Sequence, residues 1–199
     1  MGTLWKPTWS QNIARSQGDA RFPNMWNGLV GCWCMFLGPT GGTVQDLSPY
    51  KNHGTLTSMD VPTDWIPDKY GYALDLDGDN DLINVGQHAS LNITQKITLL
   101  AVVKHTAAPS DAEFIIAQNL SSPTYNLFIP AADINDYRFR IKDSSTYDAT
   151  SSDNLVTVGN WTHVVGTYDG TILLLYVNGV QKASTAHTGD IDSSSGVDR

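Results

Sequence analysis

Glutamate is almost missing from this chain. Of its 20 acidic residues every one but Glu113 is an aspartate, and charged residues of both signs make up 16%, below the usual quarter. Aspartate serves turns and caps better than helix interiors, so the shortage points away from helical folds. Long hydrophobic runs are lacking too. No stretch of about 18 apolar residues is present to make a membrane span. The opening residues MGTLWKPTWSQNIARSQGDARF hold no apolar core of signal-peptide type. A net charge of −8 argues against a nucleic-acid backbone as partner, because cations must replace phosphate counterions there.

Cysteine is sparse: Cys32 and Cys34 alone, in GLVGCWCMF. On a strand, positions i and i+2 share a face in a geometry poor for a mutual disulfide. Buried reduced thiols are expected, with a redox or metal-binding pair as the alternative. Free thiols without an export signal fit assembly in a cytoplasm.

What is present is turn chemistry and short strands. At 199 residues the chain suffices for one sizeable core. Strand-like runs recur at 28–36, 72–76, 81–85, 96–104, 113–118, 124–129, 137–142, 161–168 and 171–178, separated by Gly41-Gly42, Asp77-Gly78, Asp169-Gly170 and Asn178-Gly179. In WTHVVGTYDGTILLLYVNGVQKA, alternation meets Asp-Gly and then Asn-Gly, the dipeptides of two-residue type I′ hairpins. Apolar stretches of helical period are missing. Many short strands without helices predict an all-β, two-sheet antiparallel sandwich, a jelly roll, with helix below about 10%. Residues 1–27, polar and rich in tryptophan, read as an arm ahead of a domain over 28–199.

The order GLVGCW, VQDLSPYKNHGTL, YGYALDLDGDNDLINVG, SLNITQKITLLAVVK and NWTHVVGTYDGTILLLYVNGV resembles the laminin-G-like, concanavalin A-like jelly-roll superfamily, in its bacterial and phage surface-protein branch. The resemblance covers roughly residues 27–190. It implies two facing antiparallel sheets, one of them concave, and a record of binding sugars, proteins and often calcium. The family continues with an L-x-I-G strand and an F-x-G-x-I-D-D-V strand, both beyond GDIDSSSGVDR. The jelly roll is therefore expected to be incomplete at its C-terminus, its edge covered by another chain or by the arm.

In ALDLDGDNDLINVG the resemblance makes a strand, a tight turn and a second strand, with Leu74 and Leu76 inward. Asp81 is expected to accept backbone N–H bonds. Counted as an EF-hand from Asp75, the sixth position should be Gly but is Asn80, and the twelfth should be Glu but is Gly86. A turn is the first reading. A calcium site with Asp77, Asp79, Asp81 and Asn119 as candidate ligands is the second.

Some members of the superfamily hydrolyse glycosides with paired carboxylates. The signature E-x-D-x-x-E cannot be built from one glutamate, so no catalysis is expected. His53, His88, His105, His163 and His187 are scattered. Glycan docking is the next candidate, on Trp65, Tyr125, Asn126, Tyr137, Arg138, Tyr147 and Asp148; the alternative is that such aromatics fill the core or cover loop bases. Trp5, Trp9, Phe22 and Trp26 are the candidate anchors of an assembly arm. The expected function is a non-catalytic binding or structural module. Its first setting is a phage virion, as a capsid decoration, tail or fibre protein among other virion subunits, with glycan recognition. Its second is a secreted or cell-surface carbohydrate-binding adhesion domain. A homo-oligomer or larger assembly is expected in either.

Overall fold

The computed structural model describes residues 27–193 except Tyr70, Leu120 and Ser121. Among the described residues strands account for 43% and helix for 6%, within the limit set by the sequence. Two compact units meet in sequence at Leu91/Asn92.

The first unit holds β1 (Thr43–Val44), β2 (Gly54–Thr57), β3 (Trp65–Asp68), β4 (Gly71–Leu74) and β5 (Leu82–Asn84). β1, β2 and β5 form one antiparallel sheet in that order, and β3 and β4 pair as a hairpin. The expected strand over 28–36 is absent. Trp33 makes an isolated bridge to Asp46, and Met35–Leu37 closes a 3-10 turn. This segment is held by the motif DLSPYKNHG instead of by a ladder. The buried Asp46 carboxylate accepts the N–H groups of Cys32, Ser48 and Asn52 and the Ser48 hydroxyl, at 2.6–2.8 Å. Trp33 Nε1 donates to the Asn52 carbonyl, and Asn52 Nδ2 donates to the Val30 carbonyl. A buried carboxylate is tolerable only when satisfied in this way.

The aspartate-rich turn is a turn. Asp77 Oδ1 accepts the N–H groups of Asp79, Asn80 and Asp81, and Asp81 Oδ2 accepts that of Asp77. These backbone donors hold the Asp77 carboxyl below its ordinary value. Leu76 does not point inward as expected: β4 ends at Leu74, and Leu76 is 47% exposed.

The second unit is a β-sandwich. Its strands are β6 (Ile97–Lys104), β7 (Glu113–Ala117), β8 (Tyr125–Ile129), β9 (Arg138–Asp143), β10 (Ser145–Thr150), β11 (Trp161–Tyr168), β12 (Ile172–Val177) and β13 (Val180–Ala186). One sheet runs β10-β9-β8-β7 and the other β13-β12-β11-β6, all pairs antiparallel. The inward faces supply the core. Leu127, Phe139 and Ile141 of the first sheet meet Val164, Leu173 and Leu175 of the second, all fully buried. Each such side chain contributes roughly 1.5–3 kcal/mol of burial. Phe139 crosses directly over Gly166 on β11, where an added Cβ would lie 2.3 Å from the ring.

The two expected hairpin turns differ. Asn178 (φ 50) and Gly179 (φ 79) are both left-handed between paired Val177 and Val180, as a type I′ turn requires. Asp169 is not left-handed. Its Oδ1 instead accepts the N–H groups of Thr171 and Ile172, making an Asx turn that carries the chain from Tyr168 to Leu173.

Candidate functional site: a cationic sheet face

The outward side of the β7–β10 sheet carries a linked set of polar contacts. On β9, Phe139 and Ile141 face the core, so alternation turns Arg138, Arg140 and Lys142 outward. The antiparallel register then sets three rows across the strands. Thr150, Arg138 and Phe128 make the first, continued by Phe114 on β7; Asp148, Arg140 and Asn126 make the second; Thr146 and Lys142 begin the third.

Charge and ring faces interlock along these rows. Arg140 donates from Nε and Nη2 to both oxygens of Asp148, at 2.6 and 2.8 Å. Arg138 Nη1 lies 3.3 Å from the same carboxylate, and its Nε donates to Thr150 Oγ1 at 2.8 Å. Both guanidinium groups sit over the Phe128 ring, 5.7 and 5.1 Å from its centre, and Phe114 stacks against Phe128 at 5.5 Å. The hydrogen bond with Asp148 keeps the Arg140 guanidinium above its ordinary pKa. Lys142 Nζ donates to Ser122 Oγ. Three cations against one carboxylate leave two positive charges on this face of a chain whose net charge is −8. The planar donors in fixed register, with an aromatic floor, suit recognition of carboxylate or sulfate oxygens.

Asn126 lies in the middle row, fully buried, with neither carboxamide atom hydrogen-bonded. Leaving such a group unsatisfied costs about 1–3 kcal/mol.

Four of the aromatics expected to dock sugars lie elsewhere. Tyr125 and Tyr137 share the inward parity of Leu127 and Phe139 and are buried in the core. Burial pushes the Tyr125 hydroxyl up to about 12 and raises that of Tyr137. Tyr147 also turns inward, stacked on His187 with ring centres 3.6 Å apart. Trp65 is buried in the first unit, its Nε1 donating to the Gly41 carbonyl. Of the expected residues, Arg138, Asp148 and Asn126 share the face. Arg140, Phe128 and Phe114 were missed, although the period-two spacing of Arg138, Arg140 and Lys142 signals one face.

Of the calcium candidates, Asp77 and Asp81 each accept backbone N–H groups on one carboxylate oxygen within the turn that also holds Asp79, and Asn119 lies in the second unit. Among the described residues no group of three His, Cys, Asp or Glu side chains is placed to hold a metal. Trp5, Trp9, Phe22 and Trp26 lie outside the described residues. Cys32 and Cys34 are unjoined, with Sγ atoms 3.6 Å apart. The sole glutamate, Glu113, approaches Nδ1 of the partly buried His105 at 3.2 Å.

A family model for laminin-G-like domains, described as the concanavalin A-like lectin/glucanases superfamily, matches residues 77–198. Among solved structures the chain is similar to domains LG4-5 of the mouse laminin alpha1 chain. Identity is 12% and the TM-score 0.41, over 50% of this chain and 26% of that one. It is also similar to an S-layer domain-containing protein of Clostridium thermocellum, at 18% identity and a TM-score of 0.48, over 78% and 71%. The chain thus spans about a quarter of the laminin structure. No curated protein matches it. Among the described residues no helix is long and apolar enough to cross a membrane.

Proposed function

Since the chain belongs to the laminin-G-like family of the concanavalin A-like lectin/glucanases superfamily, we propose that it is a non-catalytic recognition module binding an acidic saccharide on the β7–β10 face. The observation that carries this reading is the row of Arg138 and Arg140 over Phe128, cationic on an acidic chain. Arg140 is aligned by Asp148 in a two-point pair, so its outer N–H edge is oriented before a ligand arrives, which lowers the ordering cost of binding. The carboxylates offer little for hydrolysis. Both oxygens of Asp148 are taken by guanidinium groups, and Glu113 is turned to His105.

A phage particle is the favoured setting, with other virion subunits as partners and the saccharide on a host surface. The unjoined pair Cys32 and Cys34 suits a protein assembled in a reducing compartment and released by lysis. A secreted or cell-surface adhesion module is the second setting.

The test is a saccharide array followed by calorimetry on the full chain, with Arg138→Ala/Arg140→Ala beside the parent. Uronate-, sialate- or sulfate-bearing saccharides should bind the parent and lose affinity at least about tenfold in the double variant, with unchanged far-UV circular dichroism. Equal affinity in both proteins, or binding confined to neutral sugars, overturns the reading.

A further inference from the structure

Cys32 and Cys34 lie on a segment that is not the strand its sequence suggests. A flat strand advances about 3.3 Å per residue, which sets positions i and i+2 near the outer limit of Cα separation for a disulfide. The segment makes the single Trp33–Asp46 bridge and then turns at Met35–Leu37, and the two Sγ atoms converge to 3.6 Å. Cys32 is anchored at both backbone groups. Its N–H donates to Asp46 Oδ1 and its carbonyl accepts the Leu47 N–H, each at 2.8 Å. Trp33 is pinned through Nε1 to the Asn52 carbonyl. Cys34 opens the 3-10 turn and gives it no side-chain cap bond. Both thiols are partly exposed, so a small reagent can reach them.

We propose that Cys32 and Cys34 are a thiol–disulfide exchange pair, closing into an intramolecular disulfide when the chain meets a low-molecular-weight disulfide. A disulfide needs its sulfurs about 2.0 Å apart, so closure asks for a shift of under about 2 Å, shared between two side chains. The chemistry balances. The Cys32 thiolate attacks one sulfur of the small disulfide, whose S–S bond breaks and releases one small thiolate. Cys34 then gives its proton to solvent and attacks the Cys32 sulfur of the mixed disulfide. The second small thiolate leaves, and the Cys32–Cys34 bond remains. Two cysteine thiols are oxidised, and one small disulfide is reduced to two thiols. Surroundings set the order. The hydrogen bond from Cys34 lowers the Cys32 thiol and makes it the readier nucleophile, while the same bond and burial raise Cys34. Proximity then favours Cys34 over a second small molecule in the closing step. The pair stays open where cellular reductants hold thiols reduced, and closes outside such a compartment. It belongs to the first unit and the saccharide face to the second, so the two readings stand or fall separately.

The test treats the reduced full chain with oxidised glutathione at neutral pH, traps free thiols with iodoacetamide and reads intact and peptide masses. The parent should lose about 2 Da, the mass of two thiol hydrogens, within the peptide that carries both cysteines, and neither should be alkylated. Dithiothreitol should restore two alkylatable thiols. Cys34→Ser should stop at a glutathione adduct on Cys32. A parent that ends with stable glutathione adducts, with both thiols alkylated or with a disulfide between two chains overturns the proposal. So does a Cys34→Ser chain that forms no adduct.

Discussion

The Cys32 and Cys34 thiols lie 3.6 Å apart, close enough to share a hydrogen bond. The hydrogen bond from Cys34 lowers the Cys32 thiol, while burial and the nearby Asp46 carboxylate act the other way. The same bond, with burial, raises Cys34. The first proton therefore leaves Cys32. Cys34→Ala removes the stabilising donor and leaves only the two influences that raise the pKa. The pH at which Cys32 reaches half-maximal alkylation by iodoacetamide should then move up; an unchanged midpoint would show that the thiols do not share a proton. The sequence foretold two neighbouring thiols on one side of the chain, and the 3.6 Å approach agrees. It did not reveal why the segment sits still. Asp46 was visible inside VQDLSPYKNHGTL, but its capture of the Cys32 N–H depends on a contact 14 residues away, which no local pattern encodes.

Most strands with an apolar run or apolar alternation were legible, β4, β5, β7, β8 and β9 among them. β6, β11 and β12 show apolar residues at every second position or throughout, and fall where the sequence placed them. β10, STYDAT, offers only Tyr147 and Ala149 to the core and was missed; its partner β9 and the left-handed Ser144 (φ 40) create it. GLVGCWCMF erred in the opposite sense. Its apolar run is spent on the Trp33 bridge and a 3-10 turn instead of on a ladder. Parity also explains the misplaced sugar-binding aromatics. Tyr137, Phe139 and Ile141 share one side of β9, as Tyr125, Leu127 and Ile129 share one side of β8, so the tyrosines follow their neighbours into the core. A prediction at this scale concerns the crossing of β9 over β11. Gly166→Ala would drive a methyl into the buried Phe139 ring and should destabilise the sandwich by about 1–3 kcal/mol, read as a lower urea midpoint at constant slope. Phe139→Leu placed on top should recover part of the loss. A midpoint unmoved by Gly166→Ala would mean that the two strands have room to separate.

For the whole molecule, the sandwich was readable because many short strands without helical periodicity leave few architectures. The boundary at Leu91/Asn92 was not, since no linker-like composition marks it. Half of the candidate face was readable, because the sequence shows which charges occur but not that Arg138, Arg140 and Lys142 form an island on an acidic protein. That segregation of charge has a kinetic meaning. An acidic ligand approaching from afar meets the field of the whole chain, which is repulsive. Only within a few ångströms does it meet the island, which is attractive. Ionic strength sets which of the two it feels: the screening length is about 30 Å at 0.01 M and about 8 Å at 0.15 M. Moderate salt should therefore hide the repulsion before it weakens the attraction. The association rate with an acidic saccharide surface, followed by surface plasmon resonance, should rise from low to physiological ionic strength and fall again near 1 M. A protein of uniform charge would show a monotonic response, so the curve's maximum would report how far its two signs are kept apart.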